Sequence, residues 1–252
     1  MDGTRVEQAS RRLLDRISAG EFAPGAALPP EGVLAAQLGV SRLTLRECVS
    51  VLKTQGIVRI APGRGTFVNA RSQWSAGPFI RATTRADSDG TVPLQLLQVR
   101  RMIEIGAVEL FARTRTDDQL DLMRKQIQLM DAAHADSDID AFVAADLAFH
   151  AVILDGCGNP FVAMLYRPIG RELETARRQT SSVAAVRVNA QRQHRHILQA
   201  LRSGDPDRSR SAMESHLQQT IDDLVERVLR AAEARPGAAT TGTPDHDDNP
   251  MT

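Results

Sequence analysis

Residues 28–68, LPPEGVLAAQLGVSRLTLRECVSVLKTQGIVRIAPGRGTFV, decide the fold of the N-terminal part of the chain. Pro30 suits the first turn of a helix, where no N–H is needed. Gly39 can adopt the left-handed conformation that commonly ends a helix. Ser41 can cap a second helix, in which apolar residues recur at i, i+3, i+4 and i+7: Leu45, Cys48, Val49 and Leu52. The stretch therefore predicts two helices joined by a tight turn.

A β-hairpin is predicted directly after these helices. Beyond Gly56 the apolar period changes to two, and residues 57–68 read as two short strands around a turn. The tip of the hairpin carries Arg64 between Gly63 and Gly65. Helix, turn, helix and hairpin in this order make a winged helix-turn-helix, which places its second helix in the major groove of DNA.

Arg42 and Arg46 are the first candidates for DNA contact. They are four residues apart and share a face of the second helix that differs from its apolar face. Two arginines on a helix usually form only a solvated surface. Here they lie at the N-terminal end of the second helix, where base edges are read, and arginine can donate two hydrogen bonds to guanine.

Composition is consistent with a cytoplasmic nucleic-acid-binding protein of two domains. The 252 residues carry no net charge, but residues 1–70 hold nine basic and six acidic side chains, whereas residues 71–252 hold 22 and 25. We find no signal-peptide pattern and no apolar run of membrane-spanning length. Two cysteines are too few for a disulfide framework or a thiolate metal site.

The remaining chain predicts a linker, a helical domain and a tail. Residues 71–93 lack sustained periodicity and form a linker, with a short strand or helix near Phe79 left open. Residues 94–231 show 3.6-residue apolar periodicity and predict an antiparallel bundle of six helices, at 94–113, 117–134, 138–154, 160–179, 182–202 and 207–232. Residues 232–252 have almost no large apolar side chains and are expected to be disordered.

Four polar residues of the bundle are predicted to face its interior. Asp146 and His150 are four apart on one helix face, and His194 and His216 each share a face with apolar residues, whereas His196 should face outward. A single inward histidine is usually a hydrogen-bonded core residue. Three histidines and one aspartate together favour a divalent cation, because one ion satisfies all four. Zinc is the first expectation, with nickel, cobalt, manganese and iron as alternatives.

The N-terminal motifs resemble those of the GntR family of bacterial repressors. The resemblance rests on LPPE (28–31), LGVSRLTLRE (38–47) and GRGTFV (63–68). It implies operator contacts from the recognition helix and the wing: Ser41, Arg42, Thr44, Arg46, Gly63 and Arg64. One departure is Gly32, where many members carry arginine, so one operator contact should be missing.

The C-terminal half resembles the FCD ligand-binding domain of the FadR subgroup. The resemblance covers residues 94–230 and rests on RRMIE (100–104), DLAFH (146–150), GNP (158–160), QHRHIL (193–198) and GDPDRSRSAMESHL (204–217). It implies a metal bound by Asp146, His150, His194 and His216, and a small carboxylate effector that completes the coordination sphere and contacts Arg100 and Asn159. Gln193 departs from the usual glutamate before the metal-binding histidine.

The expected function is therefore a metabolite-responsive repressor that binds a pseudo-palindromic DNA operator as a homodimer. Two alternatives stay open at this point. The three histidines and the aspartate could hold a catalytic metal, although the sequence offers no general base or nucleophile motif beside them. Alternatively, the bundle could serve only to dimerise a ligand-independent DNA-binding protein, which would leave the buried polar cluster unexplained.

Overall fold

The computed structural model describes residues 4–87 and 90–233, except for the side chains of residues 171, 175, 179 and 227–233. These residues form ten α-helices and one two-stranded antiparallel sheet. The helices are α1 (Arg5–Ser18), α2 (Glu31–Leu38), α3 (Arg42–Thr54), α4 (Ala76–Arg85), α5 (Val92–Thr114), α6 (Asp117–Ala135), α7 (Ile139–Gly156), α8 (Pro160–Ser181), α9 (Ala184–Ser203) and α10 (Pro206–Glu233); the strands are β1 (Val58–Ala61) and β2 (Gly65–Val68).

The N-terminal unit is the predicted winged helix-turn-helix. Gly39 ends α2 in the left-handed conformation with φ 68°, and the Ser41 Oγ accepts a hydrogen bond from the Thr44 N–H at the start of α3. The strands pair so that Val58 lies opposite Val68, and an isolated bridge joins Ala27 to β2. The predicted helix-turn-helix and hairpin are confirmed.

Helix α1 completes this unit and was not predicted. Its first turn carries a capping box, in which the Thr4 hydroxyl accepts from the Glu7 N–H and the Glu7 carboxylate accepts from the Thr4 N–H. Its apolar face packs against α3 in a core that includes Leu13, Leu45 and Cys48. The T-x-x-E pattern and the apolar stripe were signals for this helix.

Residues 71–93 contain a 3-10 turn at Arg71–Gln73 and the whole of α4. The helix contacts both halves of the molecule. Ala82 is buried in the N-terminal core and Arg85 pairs with Asp15 of α1, while Ile80 packs against a small apolar cluster that contains Leu173 of α8. The segment that joins the two halves is therefore mostly helical.

Helices α5–α10 form the predicted all-α bundle. Helix α5 packs against α7, α8 and α10, and α9 packs against α6 and α10, around a core that includes Phe111, Phe149 and Met213. Helix α10 runs to Glu233, so the first two residues of the predicted disordered tail are helical. The rest of that tail lies outside the described residues. Within the described part of the chain, the helices lack the length and apolar character needed to cross a membrane.

Candidate functional site

The N-terminal half of α3 presents a polar, exposed surface. Arg42 and Arg46 are exposed, as is Ser41 at the helix N-terminus. Thr44 is half-buried, and its hydroxyl lies 2.9 Å from that of Ser41. Arg46 donates to the Glu31 carboxylate across 2.9 Å, but its side chain remains 67% exposed. A surface pair of this kind contributes little to stability, so Arg46 is free to exchange Glu31 for a base edge.

Gly32, the position that departs from the GntR pattern, lies beneath the guanidinium group of Arg42. A Cβ atom at residue 32 would come within 3.1 Å of the Arg42 Nη2. Glycine therefore leaves room for Arg42 to lie against α2. Arg42 occupies part of the space that a longer side chain at residue 32 would need.

The hairpin tip is exposed and shaped by its glycines. Gly63 and Gly65 have φ values of 70° and 108°, which side chains with a Cβ rarely adopt. Arg64 projects from between them, and its guanidinium carbon lies 5.9 Å from the ring centre of Phe67. Arg59 lies over the same ring at 5.2 Å. In the wing, two guanidinium groups therefore make cation–π contacts with the same Phe67 ring.

Three buried histidines converge in the bundle from different helices. His150 of α7, His194 of α9 and His216 of α10 are at most 3% exposed. The Nε2 atom of His150 lies 3.2 Å from that of His194 and 3.3 Å from that of His216. Nitrogen atoms bound to a tetrahedral zinc at about 2.0–2.1 Å stand roughly 3.3 Å apart. The spacing of these donors therefore fits a common metal ion.

Asp146 adds a carboxylate to two of the histidines. Its Oδ1 lies 3.0 Å from the His194 Nε2 and 3.8 Å from the His150 Nε2. Its Oδ2 accepts a hydrogen bond from the Nη1 of Arg177, a residue of α8 that is only 6% exposed. One carboxylate thus bridges the histidine cluster and a buried cation. Imidazole and carboxylate donors without thiolate suit zinc and other first-row divalent metals.

A second buried carboxylate fixes the orientation of His150. The Glu104 Oε2 lies 2.8 Å from the His150 Nδ1, and the Glu104 Oε1 accepts from the Arg100 Nε and the Tyr166 hydroxyl, both at 2.7 Å. Because the carboxylate accepts, Nδ1 carries the proton and the lone pair of Nε2 faces the cluster. This carboxylate–histidine pair is the arrangement that orients metal ligands in proteins.

Arg100 lies directly beside the donor atoms. Its Nη2 is 2.9 Å from the His150 Nε2 and 3.5 Å from the His216 Nε2. A cation here competes for the lone pairs that a metal would use. Arg100 would have to shift for a metal to bind here, and an anion on that metal would then offer it a partner.

Burial and charge hold the cluster in the protonation states that metal binding requires. Burial, with the nearby histidines and Arg100, holds the pKa values of His194 and His216 well below the ordinary value. Burial likewise lowers the pKa of His150, although Glu104 opposes the shift. For Glu104, Arg100 and His150 outweigh the effect of burial and hold its pKa well below the usual range. The histidines are therefore neutral and Glu104 is ionised near neutral pH.

Three other residues of the sequence analysis are His196, Asn159 and Gln193. His196 is exposed, as expected. Asn159, the expected effector contact, is an exposed N-cap of α8 whose Oδ1 accepts from the Phe161 N–H. The structure gives it a capping role instead. The Oε1 of Gln193 is buried without a hydrogen-bond partner among the described residues.

Comparison with known proteins identifies both halves of the chain. Residues 5–68 match the family described as bacterial regulatory proteins, gntR family, and residues 95–219 match the FCD domain. The HTH-type transcriptional regulator LutR of Bacillus subtilis (strain 168) is 30% identical over 218 residues, which cover 82% of this chain and 95% of LutR. The chain belongs to the GntR family. Within it, the FCD domain places the chain in the FadR subgroup, as the sequence motifs indicated.

One further relative agrees with this assignment, and one solved structure has the same fold. The HTH-type transcriptional repressor NanR of Escherichia coli (strain K12) is 30% identical over 219 residues, which cover 84% of this chain and 81% of NanR. A solved structure described by the words "Lar controls the expression of the Listeria monocytogenes agr system and mediates virulence" matches with a TM-score of 0.64. It covers 90% of this chain and 99% of its own at 19% identity, which shows a common fold. The chain is thus a GntR-type DNA-binding transcriptional regulator.

Glu104, Tyr166 and Arg177 are the site residues that the sequence analysis did not assign. Glu104 lies in the RRMIE motif, four residues after Arg100, so an inward ion pair on one helix face was available as a signal. Tyr166 and Arg177 lie on α8 outside every quoted motif.

Proposed function

We propose that this GntR-family regulator is a repressor that binds a pseudo-palindromic operator as a homodimer and responds to a small carboxylate through a metal held in the FCD domain. The observation that carries the effector half of the proposal is the convergence of three buried imidazole donors and one carboxylate from three helices. Buried polar groups need partners, and one divalent cation would satisfy all four donors at once.

Asp146, His150, His194 and His216 would hold the metal, and zinc is the first candidate. A bound divalent metal supplies a positive centre that accepts a carboxylate oxygen. Arg100 would donate to the same carboxylate, since its Nη2 already lies beside the donor atoms. Glu104 keeps Arg100 charged and His150 in the required tautomer.

Helix α4 would transmit the signal to the DNA-binding half. It contacts α1 through Arg85 and Asp15, and it contacts the effector domain through Ile80 and the apolar cluster around Leu173. A ligand can change operator affinity only if it binds the DNA-competent and DNA-incompetent dimers unequally. Release from the operator is the expected direction, since NanR is named a repressor.

The metal is tested first by elemental analysis of protein purified without chelators. About one divalent ion per chain is expected in the wild type, and His194→Ala should lose it. His196→Ala, two residues along the same helix and exposed, is the matched control and should retain the metal. Absence of metal from supplemented wild-type protein would overturn this part of the proposal.

The regulatory role is tested by operator selection from random DNA, followed by titration of a library of carboxylic acids. An acid that raises the melting temperature of the metal-loaded protein should change operator affinity by roughly 5- to 150-fold, the usual range of allosteric coupling. If every stabilising acid leaves operator affinity unchanged, the bundle is not a sensor.

A further inference from the structure

A small cavity adjoins the histidine cluster on the side of α8. It has a volume of about 40 Å³ and is lined by residues that include Arg100, Asp146, Arg177, Thr180, His216 and Thr220. It has room for a small group such as a water molecule, which needs about 10–15 Å³ of such cavity volume. A carboxylate head group is of this size.

Arg177 is the unusual residue of this cavity. Its Nη1 contacts Asp146, but its Nε and Nη2 are buried and have no hydrogen-bond partner among the described residues. These two nitrogens form one edge of the planar guanidinium, and their N–H bonds point the same way. That edge is the one that binds both oxygens of a carboxylate. Leaving two charged donors buried and unpaired is costly, so the edge is suited to an anion.

The two threonine hydroxyl groups of the cavity do not replace an anion at this edge. Thr180 donates its hydroxyl proton to backbone carbonyls of its own helix, and Thr220 donates to the carbonyl of His216. Their protons are used, so neither threonine competes with Arg177 as a donor to an anion. Recognition of charge at this end of the cavity depends on Arg177.

The charged groups at the histidine cluster indicate how many negative charges an effector at this site would need. Arg100 and Glu104 neutralise each other, and so do Arg177 and Asp146. A divalent metal bound by neutral histidines and Asp146 adds two positive charges to this balanced set. Asp223 also lines the cavity, but it is only half-buried, so solvent screens its charge, and it accepts a hydrogen bond from the Gln219 amide. Buried charge that is left unbalanced costs several kcal/mol, so the site favours two negative charges.

We propose that the effector is a small dicarboxylate, with one carboxylate on the metal and Arg100 and the second on the free edge of Arg177. The proposal rests on the proposed function, because it names the chemical class of the same effector. Asp146 can keep its Arg177 contact through Oδ2 while Oδ1 faces the histidines. Arg177 therefore selects the second carboxylate without leaving the metal ligand.

The test compares diacids with monoacids of equal chain length on the zinc-loaded full-length protein. The pairs are malonate and propionate, succinate and butyrate, and glutarate and valerate, titrated by calorimetry. At least one diacid should bind about 10- to 100-fold more tightly than its monoacid, which is the usual effect of hydrogen bonds to a charged group. If each monoacid binds as tightly as its diacid, the proposal is wrong.

Variants assign the preference to Arg177. Arg177→Gln should weaken binding of the preferred diacid more than binding of its monoacid, so that the two acids bind with equal affinity. Arg177→Lys keeps the charge but not the parallel N–H pair and should give an intermediate affinity. Arg178→Gln is the matched control, because Arg178 is adjacent but pairs with Glu174 and Asp140 near the surface. It should keep the wild-type preference.

The outcomes separate this proposal from the function on which it rests. If monoacids bind and change operator affinity while no diacid is preferred, the proposed regulatory function is supported and the dicarboxylate proposal is wrong. An equal loss of diacid and monoacid binding in Arg177→Gln would show that the residue only supports the fold of the site. If neither class binds the metal-loaded protein, both proposals fail.

Discussion

Replacing Glu104 by glutamine tests how the buried network prepares His150 for a metal. The carboxylate is 1% exposed and accepts hydrogen bonds from Arg100, Tyr166 and His150 at 2.7–2.8 Å. Glutamine has nearly the same shape, but it carries no charge and presents an NH₂ group where one acceptor oxygen was. At least one of the three donors must then face another donor.

Two effects of different size are expected from Glu104→Gln. In metal-free protein, Arg100 becomes a buried cation without a counter-ion, and breaking a buried pair from one side costs about 3–5 kcal/mol of stability. In metal binding, His150 loses the acceptor that fixes its tautomer. Loss of such an orienting partner weakens metal affinity by about 10- to 100-fold.

Both effects are measurable with purified protein. Urea unfolding of the metal-free form gives the stability change, and zinc competition with a chromophoric chelator at neutral pH gives the affinity. Tyr166→Phe is the control, because it removes one neutral donor and leaves both charges in place. It should cost about 1 kcal/mol of stability and leave zinc affinity near the wild-type value. Zinc affinity of Glu104→Gln equal to that of wild type would refute the orienting role of Glu104.

Three other predictions concern DNA contact, pH and backbone conformation. Arg46→Ala should weaken operator binding by about 1–3 kcal/mol in a gel-shift titration, whereas Arg208→Ala, an exposed arginine of α10, should not. Metal-free protein should lose stability as pH falls below about 6.5, because the unfolded chain protonates histidines whose pKa values the fold lowers. A melting temperature that rises as the pH is lowered would contradict this. In urea unfolding, Gly56→Ala should lower stability far more than Gly63→Ala. Both residues have positive φ, but of the two only residue 56 would place its Cβ against a backbone atom, 2.1 Å from the Gln73 oxygen. Equal losses of stability in the two variants would show that this contact relaxes freely.

The helices of the helix-turn-helix and of the bundle were predictable because each shows its own apolar repeat and its own start and end signals. Gly39 and Ser41 mark the turn of the helix-turn-helix with a left-handed residue and a side-chain cap, and both act locally. The same holds for Asp138 at the start of α7, whose side chain accepts from the Ala141 N–H. Such signals depend on the nearest few residues, so no knowledge of the docked structure is needed to read them.

The inward direction of the clustered histidines was predictable for a related reason. The 3.6-residue period separates His194, which shares a face with apolar residues, from His196, which lies about 200° further round the helix. Burial of the first and exposure of the second follow from that rotation. What the period does not give is the partner of each inward group. The Nδ1 of His150 pairs with Glu104, 46 positions earlier, only because α5 docks against α7.

The burial of Arg177 was not predicted from the sequence, although the helical spacing of its neighbours indicated it. It continues the buried face of α8 that Tyr166, Ile169 and Leu173 define at spacings of three and four, so the period that turned the histidines inward also turns this arginine inward. A long cation near the end of an apolar stripe usually extends its head group to solvent, and that expectation makes such a residue easy to pass over. Here the packing of α8 against α7 closes that route and places Asp146 within reach instead. An arginine on the inward face of a helix is therefore informative in the same way as an inward histidine, because its charge needs a partner that the helix alone does not supply.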